Sequence, residues 1–150
     1  LKKYNIKFGT YNIFVLPDET LDNALETLYL NAKIKPNYPL STLYVPYPKT
    51  QLTNYAIEEN LIPKAFNIGD ENILNLKDKT KILNLHELFY WGVKFPFLIP
   101  FIKKMICLPP NKIYKLAYKV SAMISSGKSF GANLIEMFKL AWKLKENRPD

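Results

Sequence analysis

The sequence predicts an α/β fold in which two parallel strands are joined by a helix and followed by an α-helical C-terminal extension. Three observations carry this. The run IKFGTYNIFV at 6–15 is rich in β-branched and aromatic residues and reads as a strand. Leu21, Ala24, Leu25, Leu28 and Ala32 then recur at spacings of three and four, the signature of one buried helix face. LSTLYV at 40–45 is a second strand, and a helix of this length between two strands makes a right-handed βαβ unit with parallel strands. Two strands are not a finished sheet, and both edges stay bare unless other segments cover them.

The elements follow in order. The chain starts at Leu1 with LKKYNI, which reads as the end of a helix already under way, so the chain is expected to be part of something larger. The strand at 6–15 is expected to be buried on both faces toward its end. Pro17 breaks the pairing, the Thr20 hydroxyl caps the next helix, and Asp18, Glu19 and Asp22 put negative charge beside its free N–H groups. Lys33 and Lys35 suit the C-terminal end of that helix and Pro36 ends it. Pro46 and Pro48 hold an extended turn after the second strand, and Leu52, Tyr55 and Ala56 suggest a short helix.

Residues 63–80 are polar and weakly patterned, with a turn at Gly69 and Asp70, and read as a linker or irregular cover. Beyond them the chain is helical. One segment carries Leu83, Leu85, Leu88, Phe89 and Val93, and a second runs from Phe97 to Cys107. A third shows the stripe Ile113, Leu116, Ala117, Val120 and Ile124, and a last one carries Phe130, Leu134, Met137, Phe138 and Ala141. Ser125, Ser126 and Gly127 are expected to separate the last two. The chain thus divides into 1–62, the linker 63–80 and a basic helical extension 81–150.

With 150 residues and 48% hydrophobic content, one modest core is expected. The net charge of +8 is segregated. Residues 1–93 hold ten basic and ten acidic side chains, whereas residues 94–150 hold eleven basic and three acidic. Such a face attracts nucleic acid, an anionic membrane or an acidic partner. Cys107 and His86 are the single cysteine and histidine, so no internal disulfide forms and the usual ligands of an all-chain zinc or iron-sulfur site are lacking. A reducing cytoplasm is the expected compartment, and no secretory signal pattern stands at the start of the sequence.

At residues 9–62 the pattern becomes more specific. GTYNIFVLPDETLDNALETLYLNAKIKP followed by YPLSTLYVPYPKTQLTNYAIEENLI resembles the C-terminal half of the catalytic barrel of radical S-adenosylmethionine proteins, most closely the cobalamin-binding-domain-containing class. In that family a strand enters a Gly-Leu-Pro-Gly-Glu-Thr turn, a helix follows, and the next strand ends in Pro-Tyr-Pro-Gly-Thr. Leu16, Pro17, Glu19 and Thr20 match the first turn, and Pro46, Tyr47, Pro48 and Thr50 match the second. Val15, Asp18 and Lys49 stand where the family usually has glycine, a residue that permits close ligand approach or positive backbone angles.

The resemblance implies an incomplete (β/α) barrel fragment, the last two parallel strands with their helices, followed by the helical extension. It implies a parent enzyme in which a CxxxCxxC loop, upstream of these residues, binds a 4Fe-4S cluster that cleaves S-adenosylmethionine for radical methylation or rearrangement, with cobalamin as a further cofactor. Ile13, Phe14, Val15 and Leu16 then flank the adenine and ribose of S-adenosylmethionine, Tyr44, Tyr47 and Lys49 are candidates for the substrate pocket at the C-terminal end of the strands, and no residue here is catalytic or a metal ligand. The implied partners are the upstream half of the barrel and a small-molecule or lipid-like substrate, and this chain alone is expected to be inactive.

Plainer readings stand beside these. The run Ile13–Leu16 is also ordinary strand core, Glu19 is first-turn helix charge, Thr20 is a cap, and Tyr44, Tyr47 and Lys49 are turn packing. His86 reads as a packed or exposed histidine and Cys107 as a buried thiol. The stretch ELFYWGVKFPFLIPFIKKMICLPP is apolar and aromatic, but Lys94, Lys103, Lys104, Pro96 and Pro100 rule out a spanning helix. It either covers the open sheet or lies on an anionic bilayer at the cytoplasmic surface. A nucleic-acid recognition motif is absent. Two alternatives to the enzyme fragment therefore remain: a noncatalytic membrane-surface or partner-binding helical module, and a degenerate truncated gene product.

Overall fold

A computed structural model of the chain describes residues 2–67 and 73–129. After a short 3-10 turn at Lys2–Tyr4 come β1 (Gly9–Phe14), α1 (Leu21–Ile34), β2 (Tyr38–Leu43), α2 (Gln51–Glu58) and α3 (Lys79–Lys94). A 3-10 turn at Pro96–Leu98 leads into α4 (Ile99–Met105), and α5 spans Lys112–Ser129. The chain is α/β with a two-stranded parallel sheet. The expected turn at Gly69 and Asp70 and the expected helix from Phe130 to Ala141 lie outside the described residues.

β2 starts two residues earlier than its apolar run. Asn37 and Tyr38 both donate their backbone N–H to Phe8 O, and Asn37 Oδ1 accepts the Phe8 N–H at 3.2 Å, so pairing begins before Leu40. Pro39 is tolerated because alternate residues face opposite edges. Tyr38 and Tyr44 direct their N–H groups at β1, so Ser41 and Leu43 direct theirs away, and Pro39 faces that same outer edge, where a missing donor breaks no ladder bond. Opposite the strand start, a Cβ at Gly9 would lie 3.0 Å from Tyr38 O, which explains the glycine.

α1 forms as the stripe predicts, with Ala24, Leu25, Leu28 and Ala32 buried. Thr20 and Asn23 make a reciprocal capping box, and Lys35 closes the helix in the left-handed conformation at φ 51°. Buried Asn31 uses the same face to hold β1: it accepts from Thr10 Oγ1 at 2.6 Å and donates to Asn12 Oδ1 at 2.8 Å.

α3 is the central helix, packed against α1, α5 and β2. Phe14 of β1 meets Phe89 edge-on at 5.3 Å, and Leu28, Leu85, Phe89 and Val93 complete the core. Asn84 donates to Ile106 O and Leu108 O at 3.0 and 2.8 Å, closing the end of α4 from within. The segment preceding α3 is pinned rather than loose: Leu74 is fully buried, and the Asn75 N–H donates to Leu61 O at 2.8 Å.

Two expectations are corrected. Ser125, Ser126 and Gly127 do not end a helix; α5 runs through them, and the small Ser121, Ala122 and Ser125 face β2, where a larger residue would hold the helix off the strand. The α5 stripe meets the core only at Ala117, since Ile113, Leu116 and Val120 are exposed, and the buried positions are Tyr114, Ser121 and Ser125. Burial on both faces is confined to Phe14 and Val15, the last residues of the 6–15 run. Thr10, Asn12 and Phe14 face the helices, whereas Tyr11 and Ile13 are 81% and 51% exposed.

The two sheet edges also differ. Ser41 O, directed away from β1, accepts from Tyr118 Oη at 3.4 Å and lies 3.3 Å from His86 Nε2, so side chains of α3 and α5 close the outer edge of β2. By the same alternation, Gly9, Tyr11 and Ile13 direct their backbone groups to the other edge of β1, which no strand among the described residues pairs.

Candidate functional site

The parallel strands end side by side, and the Tyr44 N–H donates to Phe14 O at 2.8 Å. The chain after each strand must then turn sharply into a helix. In the first turn the Glu19 carboxylate folds back and accepts the backbone N–H groups of both Val15 and Leu16, the latter at 3.1 Å, while the Glu19 N–H donates to Leu16 O at 3.0 Å. Burial holds the Glu19 carboxyl above its usual range, and the two N–H groups oppose this only in part. Val15 and Asp18 take left-handed backbone angles, φ 63° and 61°.

The second turn repeats the geometry. Lys49 sits at φ 67°, and Thr50 caps α2, accepting from the Thr53 N–H and donating to Tyr47 O at 2.9 Å. Thr53, fully buried, shares its hydroxyl with Thr50 and with Tyr44 Oη, each at 2.9 Å. Tyr55 of α2 donates its hydroxyl to the Asp18 carboxylate, tying the two turns together, and that hydrogen bond holds the Tyr55 phenol above its usual pKa.

The candidate residues fall into different places. Phe14 and Val15 have their side chains in the core, so only their backbone lies at the strand end. The N–H groups of Val15 and Leu16 are engaged by Glu19. Ile13 lies on the open sheet face, and Leu16 is partly buried at the turn. Among the pocket candidates, Tyr44 is half-buried with its hydroxyl held by Thr53, and Tyr47 is exposed. Lys49 lines a cavity of about 430 Å³ with Pro48, Thr53, Ile57, Lys64 and Phe66. The strand-end turn therefore brings Lys49 to a cavity and leaves Ile13 and Tyr47 apart from it.

The Thr50–Thr53 hydroxyl pair and the contribution of Lys64 and Phe66 to that cavity were not legible from the motifs. A Thr-x-x-Thr spacing at the start of a helix is the one signal that points to the pair, since it places both hydroxyls on the first turn.

His86 is buried between the Phe14 ring, at 6.0 Å, and the Tyr118 ring, at 4.6 Å. A carbonyl can only accept, so Nε2 carries the proton toward Ser41 O. Desolvation pushes its pKa down to about 4, only partly opposed by Ser41. Cys107, expected to be buried, is exposed. It follows Ile106, which takes the inward position at the end of α4, and its thiol points to Lys103 O at 3.6 Å. Among the described residues no three His, Cys, Asp or Glu side chains come together as a metal site.

Comparison with protein-family models, with curated proteins and with solved structures finds no match to this chain.

Proposed function

We propose that this chain is a C-terminal part of a radical S-adenosylmethionine enzyme of the cobalamin-associated class, contributing two strands of a partial barrel and a helical cover. The observation that carries the reading is the backbone at Val15, Asp18 and Lys49. These are the three positions where the resembled turns have glycine, and all three adopt left-handed angles that favour glycine. A backbone that keeps such angles after losing its glycines is what a retained turn geometry produces. The open edge and apolar open face of β1 add support, because parallel strands are stable when further strands and a second layer cover them.

The residues here do not fit the iron-sulfur cluster: one cysteine and one histidine cannot ligate it, and they lie apart, Cys107 exposed just past α4 and His86 in the core. When bound by the parent, the cluster with S-adenosylmethionine would supply the radical chemistry. The part assigned to this chain is a rigid wall at the strand ends, with Glu19 fixing the first turn and Thr50 and Thr53 the second.

Reading the coding sequence immediately upstream tests this. An in-frame CxxxCxxC segment about half a barrel earlier, in a parent that forms deoxyadenosine from S-adenosylmethionine after anaerobic reconstitution with iron and sulfide, is the expected result. A start codon at residue 1 with no such neighbour would overturn it.

A further inference from the structure

Going beyond the barrel reading, we propose that the outward side of α5, together with the aromatic step that joins it to the Pro96–Leu98 turn, is a docking surface for an anionic lipid bilayer. Around its axis α5 presents three sectors. At 100° per residue, Tyr114, Tyr118, Ser121 and Ser125 share the sector that packs inward. Ile113, Leu116 and Val120 share a second sector, and the first two are 72% and 61% exposed. Lys112, Lys115 and Lys119 share the third. A helix already docked on α3 thus carries an unburied apolar row beside a row of cations, the pattern of a helix lying in a membrane interface.

The apolar row does not end at the helix. Ala117, next to Ile113 and Val120 around the α5 axis, accepts the Trp91 indole N–H on its carbonyl at 3.1 Å. Trp91 stacks on Phe95 at 6.2 Å, and Phe95 meets Phe97 at 6.1 Å. Phe97 is 76% exposed. The rings therefore carry the apolar surface from α5 out to the turn before α4, giving a contiguous patch with planar aromatics at its rim.

Charge selects the occupant. From Lys94 to Ser129 the sequence has seven lysines, at 94, 103, 104, 112, 115, 119 and 128, and no aspartate or glutamate. A second copy docking by a two-fold would set lysine rows against each other, since such an interface presents the same patch on both sides. Among the described residues Glu87 of α3 faces Lys115, and Lys112 and Lys119 of the same row are exposed to meet an external anion. Branched aliphatic side chains stack poorly on bases, so phosphate with hydrocarbon beneath it, rather than phosphate alone, matches the surface. No helix among the described residues is long and apolar enough to cross a membrane, so contact is peripheral.

Cosedimentation of the full chain with vesicles tests this. At low salt the chain is expected to sediment with phosphatidylcholine vesicles containing about one-quarter phosphatidylglycerol and to stay in solution with phosphatidylcholine alone. The exposed pair Phe97→Ser and Leu116→Ser should weaken partitioning by about tenfold or more, with an unchanged melting curve as the control for folding. Lys112→Glu with Lys119→Glu should abolish the preference for anionic vesicles. No sedimentation with anionic vesicles would overturn the proposal. So would binding unaffected by the apolar pair, the behaviour of a polycation, as would an oligomer that Leu116→Ser dissolves, which would assign the face to a second copy.

Discussion

The Glu19 carboxylate accepts the Leu16 backbone N–H at 3.1 Å and the Val15 N–H beside it, so a side chain at the helix start holds the strand end in place. Glu19→Ala leaves two donors without their acceptor in a partly buried turn and is expected to lower stability by about 2–3 kcal/mol. Glu19→Gln keeps one acceptor oxygen and should cost less. Urea unfolding of the two variants checks the order, and a Glu19→Ala variant as stable as the wild type would remove the carboxylate from its role in the turn.

Lys49 and Val15 share a left-handed backbone but not an environment. Lys49 is exposed, so Lys49→Gly removes a steric cost of about 1–2 kcal/mol, part of which is offset by the entropy of an added glycine. A net gain of about 0.5–1 kcal/mol is expected. Val15 is 1% exposed, and in Val15→Gly the same backbone relief is outweighed by the loss of about 1.5–3 kcal/mol of burial together with the entropy of the added glycine, so it should destabilise. Thermal melts of the two variants should shift in opposite directions.

Asn84, with both amide hydrogens directed at Ile106 O and Leu108 O, is 1% exposed. Asn84→Ala strands these carbonyls at the end of α4 and should cost about 2–3 kcal/mol. Amide hydrogen exchange should report faster opening of α4 in the variant. Unchanged protection there would show that α4 holds its end without Asn84.

His86 gives stability a pH dependence of defined sign. Its folded pKa, about 4, lies below its ordinary 6.5, so the unfolded chain takes up the proton first. Stability is complete above about pH 6.5 and falls as the pH drops toward 4, by about 3 kcal/mol in total for this group. The difference in unfolding free energy between the wild type and His86→Gln, followed over that window, isolates the contribution. A difference independent of pH would mean the imidazole is not desolvated.

Local chemistry was the most legible part of the sequence. The βαβ unit, the Thr20 cap and the end of α1 at Pro36 rest on neighbours within a few residues, and the structure has them. What periodicity could not tell was which partner meets a stripe. The rows of Ile113, Leu116 and Val120 and of Tyr114, Ser121 and Ser125 are both helical, and α5 turned the second inward, with its serines where β2 lies close. The candidate site was legible as two turns and not as a cavity, since Lys64 and Phe66 reach it from a segment with little pattern. The exposure of Cys107 was hidden for a similar reason: apolar neighbours say nothing about which of them takes the inward position.

The contacts of His86 and Tyr118 with Ser41 O give the sheet a direction. On the β2 side it is sealed, and an incoming strand would first have to displace α3 and α5. On the β1 side Gly9, Tyr11 and Ile13 still offer a full ladder of donors and acceptors. Growth of this sheet is therefore one-sided, and any strand that extends it must lay itself along β1.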